Sequence, residues 1–304
     1  MEPVAYNEGL SIAVLGPGAV GGFLAALLAK AGERVTVIGR EPAVDRIKND
    51  GITVQSALFG DFLARPEAQT RLSAPVGVLF VTAKAGGLSE SLHRIEPARV
   101  GRAVVVPLLN GIEHMETLRR RFPGRVAAGT ISIEALRLDS GTIAQRSPFV
   151  KIRLASDART LQPRLEGLKQ ILRRAGIEAT VETGEKAILW GKLVRLNALT
   201  LAVTASGRAL GAVRDDPYWL RRLTTAATEG ALVAQAEGVP VAAEEVIAEL
   251  AALPGALVTS MYHDRRRGQE LELDAIAGAV VRAGRRHGIP CPEIEELIDE
   301  IKRG

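Results

Sequence analysis

A short glycine-rich segment near the start of the chain has the residue types and spacing needed to hold a diphosphate. Gly16, Gly18 and Gly21 follow an apolar run at residues 11–15, which predicts a buried strand that enters a tight turn. Gly16 allows the bend, Gly18 lets the backbone approach a pyrophosphate, and Gly21 lets the next helix, predicted at 19–30, pack closely. The phosphates would bind the free N–H groups at the start of that helix. The predicted dinucleotide-binding residues are Gly16, Pro17, Gly18, Ala19, Val20 and Gly21.

The residue after the next strand indicates which dinucleotide binds. A second apolar strand, predicted at 34–38, closes a β–α–β unit and is followed by Gly39 and Arg40. Units that bind NAD usually carry a carboxylate here for the ribose 2′-hydroxyl, whereas a guanidinium pairs with a 2′-phosphate. Arg40 therefore favours NADP(H) as the cofactor. Glu41 comes directly after it and leaves NAD open as the alternative.

A lysine in the second half of the chain could supply the proton that hydride transfer to a carbonyl requires. Lys192 lies in the segment Trp190-Gly-Lys192-Leu, early in a long, mostly apolar predicted helix. Burial lowers the pKa of a lysine ammonium and makes it a better proton donor near neutral pH. The alternative is a lysine that extends its ammonium from the helix surface into water, which is common for a single lysine.

These residues need a scaffold, and the first half of the sequence predicts a parallel sheet, because short apolar runs alternate with helical stretches. After the β–α–β unit, strands are predicted at residues 51–55, 76–82, 103–109, 127–135, 141–146, 150–155 and 178–182, with a helix at 161–175. In such sheets the carboxyl ends of the strands carry the binding loops. Arg40, Lys84 and Asn110 follow predicted strands and are therefore expected at that edge.

From about residue 183 the pattern changes from strands to long helices. These are predicted at residues 185–205, 217–237, 243–253, 271–287 and 293–303. Their ends carry the aspartate–proline and glycine residues that are typical of helix starts and stops. The sequence thus predicts an α/β fold, with a Rossmann-type NADP-binding domain over 1–182 and an all-helical substrate and catalytic domain over 183–304.

Composition narrows the class of protein. The 304 residues are 47% hydrophobic and 24% charged, as in an ordinary globular protein large enough for two domains. No uninterrupted apolar run is long enough to predict a membrane span. Residues 1–9 lack the basic and apolar regions of a signal peptide and are predicted to be a short tail before the first strand. The single cysteine, Cys291, excludes an internal disulfide and fits a reducing cytoplasm.

The charge pattern indicates small anions rather than nucleic acid as partners. The net charge of +4 comes largely from short arginine clusters, and aromatic residues make up only 4% of the chain. Base-stacking surfaces are therefore not indicated. A positive balance mildly favours a phosphorylated cofactor and a carboxylate substrate. We identify no metal-ligand cluster in the sequence, and the apolar helical half could support a homodimer.

Beyond the glycine turn and Arg40, the chain contains a series of short motifs spread almost from end to end. They are Val81-Thr-Ala-Lys84, Asn110-Gly111, Trp190-Gly-Lys192-Leu, the block from Ser260 to Asp274, and His287-Gly-Ile-Pro290. In this order and spacing they resemble the ketopantoate reductase family, also called 2-dehydropantoate 2-reductases. The resemblance implies NADPH-dependent reduction of ketopantoate to pantoate, a step of pantothenate biosynthesis.

The resemblance also implies roles for individual residues. Lys192 would be the general acid that protonates the substrate carbonyl oxygen, and Glu272 would lie beside it, orient the ammonium and adjust its pKa. Ser260 would hold the substrate carboxylate. Lys84 and Asn110 would line the cleft and contact both substrate and cofactor, while Arg40 would meet the 2′-phosphate as the residues themselves predict.

The sequence departs from the family on the helix that carries the lysine. Family members typically have asparagines four and eight residues after it, where they bind the hydroxyls of pantoate; here these positions are Leu196 and Thr200. Asn197 is close in sequence but is rotated by about 100° from Leu196 around the helix. Arg195 shares the face of Lys192. Asn197 and Arg195 are the remaining candidates for substrate contacts, and a more apolar or more anionic 2-oxoacid is an alternative to ketopantoate.

Three functions are compatible with these features. The first, which the sequence favours, is an NADPH-dependent 2-oxoacid reductase. The second is an imine-reducing or opine-type dehydrogenase of the same architecture, which would turn over only with an added amine. The third is a non-catalytic protein that senses NADP(H). The presence of both Lys192 and Glu272 argues against the third function, because a sensor needs neither an acid nor its orienting carboxylate.

Overall fold

The computed structural model describes residues 10–303, which form two compact units. The first comprises the chain up to Leu109 together with His114–Ile188, and the second comprises Asn110–Glu113 together with the chain from Leu189. The tail predicted before the first strand lies outside the described residues. The domain boundary after residue 182 stays a prediction. No feature of the sequence had indicated that Asn110–Glu113 would join the helical unit.

In the first unit strands and helices alternate over part of the chain, and two runs of four successive strands interrupt the alternation. Its strands are β1 (Ser11–Leu15), β2 (Arg34–Ile38), β3 (Ile52–Ser56), β4 (Phe62–Ala64), β5 (Glu67–Gln69), β6 (Val78–Val81), β7 (Val104–Pro107), β8 (Ala128–Ser132), β9 (Ala135–Arg137), β10 (Ile143–Gln145), β11 (Lys151–Ala155) and β12 (Glu178–Glu182). Its helices are α1 (Ala19–Lys30), α2 (Glu41–Asp50), α3 (Leu88–Leu92), α4 (Pro97–Val100), α5 (His114–Arg121) and α6 (Gln162–Arg174), with 3-10 turns at Ala85–Gly87 and Arg159–Leu161.

The main sheet is parallel, as predicted, and has the strand order β5-β2-β1-β6-β7. β1, β6 and β7 are buried almost throughout, because the sheet is covered on both faces. The register pairs Leu15 with Ile38 on one side and with Val81 on the other. The carboxyl ends of β1, β2 and β6 therefore lie at one edge, which brings the glycine turn, Gly39 and Thr82 together.

The strands predicted at residues 51–55, 127–135, 141–146, 150–155 and 178–182 do not extend this sheet but form two others. β3 forms a second sheet of order β4-β3-β10-β9, in which its neighbours are antiparallel β4 and parallel β10. β8, β11 and β12 form a third sheet of order β12-β11-β8. The physical reason is visible in β3, where buried and exposed residues alternate. A strand with one exposed face does not suit a sheet that is covered on both sides.

Helix α1 is enclosed on two sides by sheets, which explains why nearly every face of the helix is apolar. It packs against β1 and β2 of the main sheet and against β3, β4, β9 and β10 of the second sheet. Phe23, Leu24 and Leu28 are fully buried in the core of this unit. A helix enclosed on two sides needs no polar face. It ends at Lys30, as predicted, and Gly32 two residues later has a positive φ of 89°, the left-handed conformation typical of the residue that follows a helix.

The second unit is helical among its described residues, as predicted. Its elements are α7 (Glu185–Ser206, whose first turn belongs to the first unit), α8 (Leu210–Asp215), α9 (Pro217–Ala236), α10 (Ala243–Ala252), α11 (Ser260–Arg266), a π-helical turn (Asp274–Gly278), α12 (Ala279–Arg286) and α13 (Pro292–Arg303). The short helices α8 and α11 were not predicted, because one or two turns leave no measurable periodicity. The helix predicted at 271–287 is instead the π-helical turn followed by α12.

Helix α7 is the core helix of the second unit. By length and composition it could cross a membrane, the one helix among residues 10–303 of which this is true. Most of it is buried inside the structure, where Trp190, Leu193 and Leu201 contribute to the core. A buried core helix passes the same test of length and hydropathy as a membrane span.

Candidate functional site

The glycine turn of the first unit is held by backbone contacts. Gly16 has a φ of 98°, which favours glycine, and its N–H donates to the Ile38 carbonyl at 2.9 Å. A Cβ atom at Gly16 would lie 2.7 Å from the Ala83 nitrogen, so no side chain fits. A Cβ atom at Gly21 would overlap the Gly16 carbonyl oxygen and the Thr82 hydroxyl. The turn therefore needs glycine at Gly16 and Gly21 for its own packing.

Gly18 differs, because a Cβ atom there would meet nothing within 4 Å. The space beside Gly18 lies at the start of α1, where Gly18 is the N-cap and supplies no side-chain hydrogen bond. The first N–H groups of a helix have no partner within the helix. An open backbone beside free N–H groups fits a diphosphate, so the turn is suited to a dinucleotide.

Two residues support the turn from other strands. Thr82, which follows β6, donates its hydroxyl to the carbonyls of Leu15 and Gly16 at 3.0 and 2.8 Å. Arg137, at the end of β9, donates from Nη2 to the Pro17 carbonyl. Burial and the nearby Arg46 lower the pKa of Arg137. The contact of Arg137 could not be predicted, because nothing in the sequence pairs a distant strand with this turn.

Arg40 and Lys84 both lie exposed at the carboxyl edge of the main sheet. Arg40 is the N-cap of α2, directly after β2, and its carbonyl accepts from Ala43 and Val44 at 3.0 Å. Lys84 precedes the 3-10 turn after β6. Their positions agree with those expected from the strand ends. Their contacts with cofactor and substrate stay predictions.

In the second unit, three side chains from distant segments form a hydrogen-bonded chain. Lys192 Nζ donates to Asn110 Oδ1 at 3.1 Å, and Asn110 Nδ2 donates to Glu272 Oε2 at 3.2 Å. Lys192 lies on α7, Asn110 on the segment Asn110–Glu113, and Glu272 two residues before the π-helical turn. We call these residues the Lys–Asn–Glu chain. The structure thus brings together both predicted catalytic residues, joined by a residue predicted to line the cleft.

The electrostatic surroundings of Lys192 within the Lys–Asn–Glu chain favour proton transfer. Burial lowers the pKa of Lys192 to about 8; Glu272 opposes this shift, and the positive charge of Arg195 adds to it. An ammonium with a pKa near 8 is mostly protonated at neutral pH and gives up its proton more readily than an ordinary lysine. Because Lys192 is partly buried and its Nζ is hydrogen-bonded to Asn110, the alternative of a lysine that extends its ammonium into water is wrong.

The other predicted substrate residues have separate surroundings. Ser260 is exposed at the first position of α11, after the N-cap residue Thr259. Arg195 is partly exposed and donates from Nη1 to Glu249 Oε2 at 2.7 Å. A carboxylate that bound Arg195 would compete with Glu249.

Asn197 requires a correction. Its side chain is 0% exposed, faces Gly230 of α9, and has no hydrogen-bond partner among the described residues. Thr200 is similarly buried, and its hydroxyl lacks a partner there. Asn197 is therefore a core residue in this structure rather than a substrate contact, because rotation around α7 turns it from the side of Lys192 toward the interior. Leu196 is partly buried and packs against the core.

Several comparisons with known proteins match the chain almost from end to end. The family model described as "Ketopantoate reductase PanE/ApbA" matches residues 12–156, and "Ketopantoate reductase PanE/ApbA C terminal" matches residues 186–303. A 2-dehydropantoate 2-reductase from Mycobacterium tuberculosis is 30% identical over 295 residues, with 94% of this chain and 95% of the relative covered. One from Caulobacter vibrioides is 31% identical over 300 residues, with 93% and 94% covered.

Among solved structures, a D-mandelate dehydrogenase in a ternary complex with NADH and anilino(oxo)acetate has a similar fold. Its TM-score is 0.89 at 21% identity, with 97% of this chain and 98% of that chain covered. At this level of identity the likeness concerns the fold alone.

Proposed function

This chain belongs to the ketopantoate reductase family, and from that premise we propose that it reduces a 2-oxoacid to the 2-hydroxyacid with NADPH. It is an oxidoreductase by its family. The observation that carries the proposal is the Lys–Asn–Glu chain, in which one amide joins an ammonium to a carboxylate. A lysine with a pKa of about 8 is suited to protonate an oxygen that is becoming an alkoxide.

Each residue of the Lys–Asn–Glu chain has a separate role in the proposed reaction. When bound, the reduced nicotinamide supplies a hydride to the carbonyl carbon of the substrate. Lys192 donates a proton from Nζ to the carbonyl oxygen, so that C=O becomes CH–OH. Glu272 favours the protonated form of Lys192, and Asn110 holds the ammonium in place through its side-chain carbonyl. Lys192 then regains a proton from water.

The proposed preference for NADPH rests on Arg40. Its exposed guanidinium follows β2, where a 2′-phosphate would lie in this type of fold, and a charged fork of this kind pairs well with phosphate. The D-mandelate dehydrogenase of similar fold is in complex with NADH. A fold of this type therefore accommodates NADH, and a preference for NADPH has to come from residues such as Arg40.

The proposed substrate is a 2-oxoacid with few hydroxyl groups. Leu196, an aliphatic residue that packs against the core, and the buried Thr200 stand where the family carries hydroxyl-binding asparagines. Neither offers an accessible hydrogen-bonding group. We therefore expect ketopantoate to be reduced less efficiently than its analogue without the 4-hydroxyl. Leu196→Asn should shift the preference toward ketopantoate, since a gained buried hydrogen bond contributes about 0.5–1.5 kcal/mol.

The experiment is NADPH oxidation across a panel of 2-oxoacids, with and without an added amine. The panel contains ketopantoate, the analogue without the 4-hydroxyl, and a dicarboxylic oxoacid that would test a contact with Arg195. Turnover of at least one oxoacid without amine, lost in Lys192→Ala, supports the proposal. Turnover that depends on amine would overturn it in favour of an imine reductase, and so would turnover that persists in Lys192→Ala.

Compartment and assembly stay predictions of the sequence. A reducing cytoplasm fits the single cysteine, Cys291, which is buried and has its pKa raised to about 11 by that burial. Such a thiol is unreactive. A homodimer stays a prediction and can be tested by sedimentation.

A further inference from the structure

A charged cluster in the second unit lies next to the segments that carry two members of the Lys–Asn–Glu chain. Arg282, on α12, donates from Nε and Nη2 to the two carboxylate oxygens of Glu113, at 2.8 and 2.7 Å. It also donates from Nη1 to Asp274 Oδ1 at 2.7 Å. One guanidinium therefore binds two carboxylates, and its hydrogen bonds to Glu113 and Asp274 raise the pKa of Arg282. We call Arg282, Glu113 and Asp274 the arginine clasp.

The two carboxylates belong to the segments that position the proposed site. Glu113 ends the segment Asn110–Glu113, which begins with the amide that binds Lys192. Asp274 is the first residue of the π-helical turn and lies two residues after Glu272. Arg282 thus connects the backbone that carries Asn110 to the backbone that carries Glu272.

Two glycines show that the segments are fitted closely to each other. Gly111 has a φ of 84°, and a Cβ atom there would overlap the Ala275 carbonyl oxygen in the π-helical turn. A Cβ atom at Gly278 would lie 2.6 Å from Asp274 Oδ1 and 3.0 Å from Arg282 Nη1. The first glycine lets the segment lie directly on the turn. The second leaves the space in which Asp274 and Arg282 meet.

The exposure of the cluster indicates that stability is not its main effect. The side chains of Arg282, Glu113 and Asp274 are 39%, 47% and 85% exposed. Ion pairs with this much exposure contribute little to folding. Two bonds to one carboxylate nevertheless fix orientation, because both oxygens of Glu113 meet the planar guanidinium. π-helical turns are also frequent near functional sites.

We propose that Arg282 is a positioning residue for the reaction: through Glu113 and Asp274 it keeps Asn110 in register with Glu272, so that the amide can join them to Lys192. The proposal rests on the proposed function, and it assigns Arg282 no contact with substrate or cofactor. Displacements of about 1 Å in a catalytic arrangement can lower rates by about two orders of magnitude. Loss of the clasp should therefore slow the reaction without unfolding the protein.

The first test compares Arg282→Gln with Arg285→Gln, a matched control on the same helix. Arg285 is also exposed and pairs with Glu295 at 2.7 Å, but neither residue belongs to the clasp. We expect Arg282→Gln to lower kcat about tenfold, with a much smaller change in the KM for NADPH, and to move the pH at which kcat/KM falls. Arg285→Gln should change none of these. Equal behaviour of the two variants would overturn the proposal.

Two further variants separate positioning from a general loss of charge. Arg282→Lys keeps the charge but cannot bind both carboxylates with one planar group, so it should restore only part of kcat. Glu113→Gln combined with Arg282→Gln should be no worse than the more harmful single change, since both remove the same connection. Multiplicative losses would show that Arg282 acts by another route.

A readout that needs no turnover distinguishes failure of this proposal from failure of the proposed function. NMR titration of lysine labelled with 13C at Cε reports the pKa of Lys192 in the full chain, with the resonance assigned by its loss in Lys192→Met. A shifted Lys192 titration in Arg282→Gln but not in Arg285→Gln supports the clasp even if no 2-oxoacid is reduced. An unchanged titration and unchanged kinetics in an active enzyme overturn it.

Discussion

The glycine turn of the first unit and the Lys–Asn–Glu chain of the second unit are built in opposite ways. The turn lies within one short segment. Its shape depends on the absence of side chains at Gly16 and Gly21, and the open space beside its backbone lies at Gly18. The Lys–Asn–Glu chain depends on side chains that are present and come from residues 82 and 162 positions apart. The turn presents backbone N–H groups, whereas the Lys–Asn–Glu chain presents an ammonium, an amide and a carboxylate.

This difference determines how each region can fail. Added atoms damage the turn, because a Cβ atom at Gly16 or Gly21 meets the backbone. Removed atoms damage the Lys–Asn–Glu chain, because each group depends on the hydrogen bond of the next. Substitutions in the glycine turn should affect cofactor binding, and substitutions in the Lys–Asn–Glu chain should affect the chemical step.

The largest expected effect tests the chemical role of the Lys–Asn–Glu chain. Lys192→Ala should lower kcat by about 10² or more, as for loss of a general acid, with little change in NADPH affinity. Glu272→Ala should be less harmful and should add little to Lys192→Ala, since the residues act as a unit. Steady-state kinetics with the best oxoacid of the panel measures both. Lys186→Ala, an exposed change at the start of the same helix, is the control and should keep full activity.

The second prediction separates the two roles of glycine within the turn. Gly21→Ala should destabilise the protein by about 1–3 kcal/mol, since its Cβ atom overlaps Gly16 and Thr82. Gly18→Ala should leave the melting temperature nearly unchanged but weaken NADPH binding about tenfold, the equivalent of about 1.4 kcal/mol. Thermal unfolding and a fluorescence titration with NADPH measure the two effects. A destabilised Gly18→Ala variant would show that the space beside the Gly18 backbone is not open.

The third prediction concerns cofactor preference, which is proposed to depend on Arg40 in the same unit as the glycine turn. NADPH should exceed NADH by at least about tenfold in kcat/KM, the equivalent of one charge-assisted contact. Arg40→Asp should narrow or invert that ratio because a carboxylate repels a 2′-phosphate. Kinetics with both cofactors at one fixed oxoacid concentration give the ratio. Equal use of both by the unchanged protein would contradict the assignment of Arg40.

The fourth prediction concerns the pH dependence of kcat/KM, which two substitutions should shift in opposite directions. The proposed reaction needs the Lys192 ammonium, so kcat/KM should be constant at low pH and fall as the pH rises through about 8. Glu272 raises the pKa of Lys192, so Glu272→Gln should move this fall to lower pH. Arg195 lowers the pKa, so Arg195→Gln should move the fall to higher pH. Shifts in the same direction would mean that another group controls the profile.

The smallest effect concerns the buried side of α7. Thr200→Val removes a buried hydroxyl without a partner and should stabilise the protein by about 1 kcal/mol. Thr228→Val on α9 is the control, because that exposed hydroxyl already donates to the Thr224 carbonyl at 2.9 Å. The control should give no gain. Chemical denaturation measures both, and a destabilised Thr200→Val would point to a hydrogen bond made in another state of the protein.

The sequence by itself determined the features whose causes are local. The strand, turn and helix around Gly16, the parallel pairing of β1 with β2, and the ends of α1 and α9 follow from residues close together in the chain. The change from strands to helices near residue 183 is equally local. The roles of Lys192 and Glu272 were expected from family resemblance, since no rule of spacing joins residues 80 positions apart.

Only the tertiary structure decided which distant groups meet. It placed Asn110 between Lys192 and Glu272, Arg137 on the Pro17 carbonyl, and β3 outside the main sheet. It also turned Asn197 into the core, which sequence spacing alone had left as a substrate contact. The physical reason is that a local conformation depends on a few neighbouring residues, whereas long-range contacts depend on how whole elements pack. The lowered pKa of Lys192 belongs to this second class, because burial and distant charges together produce it.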